Sequence, residues 1–142
     1  MPIAVTDLLV NVDVDDLAKA ETFYCQALGL HVGRRFGKSG VELLGASSPI
    51  YLLEKAKGTV ASAATSQLRE YSRHWTPVHL DFVVEDIAAA VDCARRAGAT
   101  LEGEVGIHKW GHIALMADPF GHGFCLIEFR GRGYDEIVEN QS

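Results

Sequence analysis

Residues 8–29, LLVNVDVDDLAKAETFYCQALG, decide the fold. From Leu8 to Val14 the side chains alternate, with Val10, Val12 and Val14 on one side and Leu9, Asn11 and Asp13 on the other, the period of a half-buried strand. A helix follows: Asp15 and Asp16 supply its cap, Leu17 to Leu28 its body, and Gly29 the left-handed stop. Leu17, Ala20, Phe23, Tyr24, Ala27 and Leu28 fall on one apolar stripe of that helix. Seventy positions on, residues 78–98, VHLDFVVEDIAAAVDCARRAG, repeat the same order: an alternating strand, Glu85 and Asp86 at the cap, a helix over Ile87 to Ala97, and Gly98.

Each copy continues in short strands broken by Gly and Ser: His31 to Phe36, Val41 to Leu44 and Ile50 to Glu54 in the first, then Thr100 to Val105, His112 to Ala117 and Phe124 to Glu128 in the second. The pattern predicts an α+β single domain over 1–142 built from two βαβββ modules in a curved sheet around a cleft. Module one spans about 6–54, a linker 55–75, module two about 76–130, and a tail 131–142. Within the linker, Ser66 to Ser72 reads as a short helix. Val10, Val12, Val14, Leu80, Phe82 and Val84 are expected under the helices. Leu9, Asn11, Asp13, His79, Asp81 and Val83 are expected to face the cleft.

Bulk properties narrow the class. The chain has 142 residues, 48% of them hydrophobic, which suits one domain with a real core. A formal charge of −6 excludes a surface built for nucleic acid or anionic membrane and leaves a small molecule or another protein as partner. No run reaches the roughly 18 apolar residues of a membrane span, and MPIAVTDLLV lacks a basic signal-peptide start, so a cytoplasmic protein is expected. Cys25, Cys93 and Cys125 are an odd number without a CxxC pair, which predicts reduced thiols. There is no GxxxxGK[ST], GxGxxG behind a strand, HExxH or GxSxG.

Three stretches, VDDLAKAETFYCQALGL, VHLDFVVEDIAAAVDCARRAGA and ADPFGHGFCLIEF, together resemble the vicinal oxygen chelate superfamily, which groups glyoxalase I, bleomycin-resistance proteins and extradiol dioxygenases. The resemblance covers Leu8 to Phe129. It implies the paired βαβββ architecture, a homodimer whose pockets lie within one chain or at the subunit interface, and, in metal-dependent members, four strand positions presenting His, Glu or Gln to one divalent ion. Carried over position by position, those slots fall at Leu9, at Leu52 (or Glu54 with a shift of two), at His79 and at Cys125. Leucine binds no metal, so one confident donor remains, His79. A rescued site would combine His79 with Glu54, Asp13, Asp81 or Cys125, a zinc-like set where a thiolate takes part.

Two readings of activity stay open beside a structural or regulatory dimer without a ligand. One is a metal-independent binder holding an apolar or aromatic small molecule over Leu9, Asn11, Leu52, His79, Trp110 and Cys125, with no cofactor. The other is a metal-dependent enzyme, a glyoxalase-like lyase, an isomerase or a dioxygenase, centred on His79, with Asp13 or Asp81 as acid/base partner. His108, His112 and His122, with Trp110 and Phe120, cluster in GIHKWGHIALMADPFGHG, where turn and rim roles are expected. Trp75 and Trp110 offer flat walls for a planar ligand. Arg132 and Tyr134 lie in the tail turn.

Overall fold

A computed structural model describes residues 3–139. The chain divides into two compact units, one ending at Tyr71 and the other beginning at Ser72. The expected linker is thus shared out: Lys55 to Tyr71 folds with the first unit, Ser72 to Trp75 with the second.

In the first unit β1 (Val10–Val14) leads to α1 (Leu17–Leu28), then β2 (His31–Phe36), β3 (Gly40–Leu44) and β4 (Ile50–Glu54). The sheet order is β1-β4-β3-β2, with β1 parallel to β4 and the other pairs antiparallel. The second unit runs β5 (Leu80–Val83), α2 (Ile87–Ala97), β6 (Thr100–Leu101), β7 (Gly106–His108), β8 (Gly111–Ala117), β9 (Gly123–Phe129) and a 3-10 turn, η1 (Gly133–Ile137). Its order, β5-β9-β8-β6, repeats the first sheet, with the short β7 added on β8. Two strands are shorter than their alternation suggests: Leu8 and Leu9 precede β1, and Val78 and His79 precede β5.

The helices form where the caps are. Asp16 and Asp86 sit in extended backbone and accept from the amides of Lys19 and Ala89, while Gly29 (φ 67°) and Gly98 (φ 119°) take the left-handed stop that side chains resist. A second acceptor tightens each start. Glu54, last residue of β4, accepts from the Leu17 amide at 3.0 Å, and Glu128 in β9 accepts from the Ile87 amide at 2.9 Å. Each module therefore closes on itself, its last strand satisfying a backbone donor that the helix leaves orphaned.

Register assigns the faces. Val12 pairs with Leu52, and Leu52 with Val41, so these side chains share the face that α1 covers; Leu52 is 0% exposed and packs with Val14, Ala20 and Phe23 in the core. Phe82, Leu126 and Ala114 occupy the same place under α2. Burying a leucine this fully contributes about 1.5–3 kcal/mol.

The short helix expected over Ser66 to Ser72 does not form. That segment folds back on Gly58 to Ala61 instead: the Gly58 amide bonds the Arg69 carbonyl, the Arg69 amide the Thr59 carbonyl and the Ala61 amide the Gln67 carbonyl, all at 2.8 Å, with Val60 and Leu68 bridged. Backbone donors satisfied across a loop are not available to a helix.

Candidate functional site

The second sheet's uncovered face carries the chemistry. Asp81 in β5 lies beside Cys125 in β9, and Cys125 beside Leu115 in β8. His79, two residues before Asp81, falls on the same side, its Nε2 3.1 Å from Asp81 Oδ1. His79, Asp81 and Cys125 bring one donor atom each within 4.8 Å of one another. Cys125 is only 4% exposed, and burial, with the Asp81 charge and hydrogen bond adding to it, pushes its thiol up to about 11. At neutral pH the proton stays on sulfur, where it donates to Asp81. The same carboxylate accepts from His79 Nε2–H, which leaves the Nδ1 lone pair of that imidazole as a base.

A pocket of about 610 Å³ opens against this face, lined by His79, Cys125, Leu115, Met116 and Phe124 along the strands and by residues 73–76, Glu102 and Gly123 around them. Arg73 lies across Gly123, where a Cβ would come within 2.7 Å of its Nη2, and holds Glu102 through two bonds of 2.7 and 2.9 Å. That ion pair holds the Glu102 carboxyl below its ordinary range. His122 occupies the turn after Asp118, whose Oδ1 accepts from the amides of Phe120 and His122.

The first unit uses its polar groups differently. Asp13 is bound at 2.8 Å by Arg69, which also donates to Thr59 and to the carbonyls of Val60 and Ala61 and so fastens the folded-back loop to β1. Glu42 projects from the uncovered face of β3 yet is buried, taking Arg34 through its amide, Nε and Nη2 and the Tyr51 hydroxyl at 2.9 Å. The Arg34 bonds lead the causes that hold its carboxyl at about 2. A bulge between Val32 and Arg35 and the bare Gly33 make room, since a Cβ there would sit 2.5 Å from Glu42 Oε1.

The expected site residues are thus divided. His79 and Cys125 line one pocket, and Asp81 stands against both. Leu9 and Asn11 are exposed in the first unit, Leu9 ahead of β1 and Asn11 beside Tyr51. Leu52 and Glu54 both fall on the helix-covered face, Leu52 in the core and Glu54 at the start of α1. The expectation that one of them faces the ligand fails here by a single residue of register: Tyr51 and Leu53 hold the uncovered face. Neither is a strong metal donor. Trp110 lies outside the pocket lining, its ring stacked on His108 (5.1 Å between centroids, parallel planes) and against Tyr134 and Phe129. Arg132 bonds Glu136.

The sequence reading missed Arg73, His74, Glu102, Leu115 and Met116 as pocket residues and the Arg34, Glu42 and Tyr51 network. Glu42 did carry a signal, a lone charge inside the apolar run VELL; Trp75, expected as a flat wall, lines the pocket, while Arg73, His74 and Thr76 carried no signal because they precede any periodic element.

Tested against a divalent ion, the donors divide the same way. Imidazole, carboxylate and thiol converge in the second unit as an open three-ligand set of the kind zinc accepts, while the first-unit slots offer Leu9, Tyr51 and Leu53.

Comparison with known proteins agrees with this architecture. Solved structures similar to the chain include a variant of the genomically encoded fosfomycin resistance protein FosX from Listeria monocytogenes, complexed with Mn(II) and dihydroxypropylphosphonic acid; it is 17% identical, covers 92% of each chain and has a TM-score of 0.68. An antibiotic binding protein from a Streptomyces species is 22% identical over 92% of this chain and 99% of its own, with a TM-score of 0.62. A glyoxalase/bleomycin resistance protein/dioxygenase family enzyme from Burkholderia phytofirmans is 22% identical over 86% and 97%, at 0.65. These likenesses are of fold. A search of curated protein sequences finds no match. The family described as a glyoxalase-like domain matches residues 9–127, and the strand, helix and cap pattern is repeated in both units; the chain belongs to that family, within the vicinal oxygen chelate superfamily.

Proposed function

We propose that the chain binds a small apolar or aromatic molecule in the pocket of its second unit, without metal. The observation that carries this reading is the pocket's lining: Leu115 and a thiol kept neutral stand on the uncovered face, Met116 and Phe124 of the same strands border the pocket beside them, and His79 and the 73–76 segment supply the few polar groups that orient a ligand. The antibiotic-binding relative gives the reading a precedent in the same fold. Its metal independence is supported by chemistry: Leu9 occupies the first-strand slot, Glu54 caps α1, Asp13 is held by Arg69, and Cys125 resists becoming a thiolate. The reading includes a homodimer in the cytoplasm. The exposed Val83 and Ile107 offer apolar surface to a second copy, and Cys25, Cys93 and Cys125, which form no disulfide, suit a reducing compartment. Among the described residues no helix is long and apolar enough to cross a membrane.

A second reading is favoured by one observation, the convergence of His79, Asp81 and Cys125. These residues would hold a divalent ion, which would act as a Lewis acid toward adjacent oxygens of a substrate. His79 would then contribute a nitrogen ligand rather than a base, and the sulfur would have to lose its proton.

Elemental analysis of the purified protein and of His79→Ala separates the two. The binder reading expects far less than one equivalent of metal in either, even after soaking with zinc, nickel, iron and manganese. It also expects a melting temperature raised by anilinonaphthalene sulfonate, since a ligand at about a hundredfold its Kd adds about 2.7 kcal/mol to the folded state. One equivalent in the wild type, lost in His79→Ala, overturns it.

A further inference from the structure

Residues 72–76 reach the pocket's wall through Arg73, His74, Trp75 and Thr76, and what fastens that segment is polar. Arg73 binds Glu102, and its Nη1 donates to the His74 carbonyl. The His74 amide donates to the Gly121 carbonyl at 3.1 Å. Trp75, the segment's one large apolar side chain, is 74% exposed. A wall whose one large apolar side chain is exposed belongs to the weakly held parts of a fold.

A further tie joins two imidazoles. His74 Nδ1 lies 2.8 Å from the Ser72 carbonyl, and His74 Nε2 lies 2.9 Å from His122 Nδ1. A carbonyl only accepts, so His74 Nδ1 carries a hydrogen; with His74 neutral, its Nε2 accepts from His122 Nδ1–H. One added proton is tolerated, because either ring can be the charged donor and the other the neutral acceptor. A second is not. Both facing nitrogens would then carry hydrogens, and two positive rings would stand 4.8 Å apart. The charged groups around the pair are Arg73, which adds to that repulsion, and Asp118 and Glu102, which oppose it. The segment lies directly on the turn: at Gly121 a Cβ would lie 2.1 Å from the Ser72 carbonyl oxygen, so the glycine permits this approach.

We propose that the His74–His122 pair is an acid-sensitive latch: double protonation frees residues 72–76 from the 118–123 turn and opens that wall of the pocket. Its consequence for ligand exchange rests on the pocket reading above; the latch itself does not.

The test is the hydrogen-exchange protection factor of the His74 amide in the full chain at about pH 7.5 and about pH 4.5. In the wild type it falls about tenfold or more on acidification while the amides of β9 stay protected. In His122→Ala it is low at both. In His122→Asn it stays high at both, because the amide group donates to neutral His74 and, turned over, accepts from the charged ring. Equal wild-type protection at the two pH values, an acid loss in His122→Asn that matches the wild type, or simultaneous loss in β9 overturns the latch. Anilinonaphthalene sulfonate binding, measured alongside, keeps the two readings apart. With the exchange pattern as expected, failure to bind at either pH overturns the pocket reading and leaves the latch supported.

Discussion

The two units are built alike and finished differently. Both place an aspartate at the helix cap, a glycine at its stop, a parallel first and last strand, and a glutamate at the end of the last strand on the first helical amide. They part on the uncovered sheet face. The first unit ties its charges to each other, Asp13 to Arg69 and Glu42 to Arg34 and Tyr51, so its polar side chains hold loops and strands together. The second sets His79 against Asp81, keeps a neutral thiol beside them, and opens a pocket there. The lesson is that a repeat preserves what every copy needs in order to fold, namely caps, stops and register, while the face that packs against no helix is free to diverge toward binding.

That contrast can be broken most strongly in the cores. Leu52→Ala and Leu126→Ala remove fully buried leucines from equivalent places and should each destabilise by about 2–5 kcal/mol in urea unfolding. Should Leu52→Ala instead weaken ligand binding and leave stability intact, Leu52 would belong to the site and the β4 register given above would be wrong.

The thiol sharpens the chemical side. With Cys125 pushed up to about 11 from the ordinary 9.0, its thiolate fraction at mild alkaline pH falls about a hundredfold. Iodoacetamide should label it at least that much more slowly in the folded protein than in urea. Labelling at the rate of a free thiol would show the floor to be open and Asp81 to be no restraint.

Acid should find the first unit through Glu42. Its carboxyl lies at about 2 in the folded chain against an ordinary 4.5, so between those values the unfolded chain binds more protons and stability falls with pH. The contribution is whole above about pH 4.5 and gone near pH 2. Glu42→Gln should flatten the urea midpoint across that interval, and an unchanged slope would remove Glu42 from the account. The smallest effects test the symmetry itself: Asp16→Ala and Asp86→Ala each lose one cap bond and should cost about 1 kcal/mol apiece. A large inequality between them would mean that the two helices do not start alike.

Much of this molecule was legible as sequence. Both helices stand at the residues their caps and glycines mark, and β2 and β4 at the bounds their punctuation suggests, because such signals act within a few residues of chain. The family followed from motifs in a fixed order. Less of the site was legible. His79 and Asp81 could be placed on one face from the repeat, and Cys125 came only through the family resemblance, but Arg73 and His74 lie in a stretch read only as linker, and Asp13, a candidate acid/base partner, is bound by Arg69, fifty-six residues away.

What the sequence alone determined, then, is the order of elements, the helix boundaries and the repeat, all local or periodic properties. What tertiary structure alone decided is the β4 register that sends Leu52 inward and Tyr51 outward, the closing of the 56–71 loop on Arg69, and the place of Arg73, His74 and Thr76 in the pocket wall. A run such as IYLLE, apolar on both sides of the strand, carries no alternation to say which side faces the helix. Only pairing with Val12 and Val41, residues distant in the chain, makes that choice.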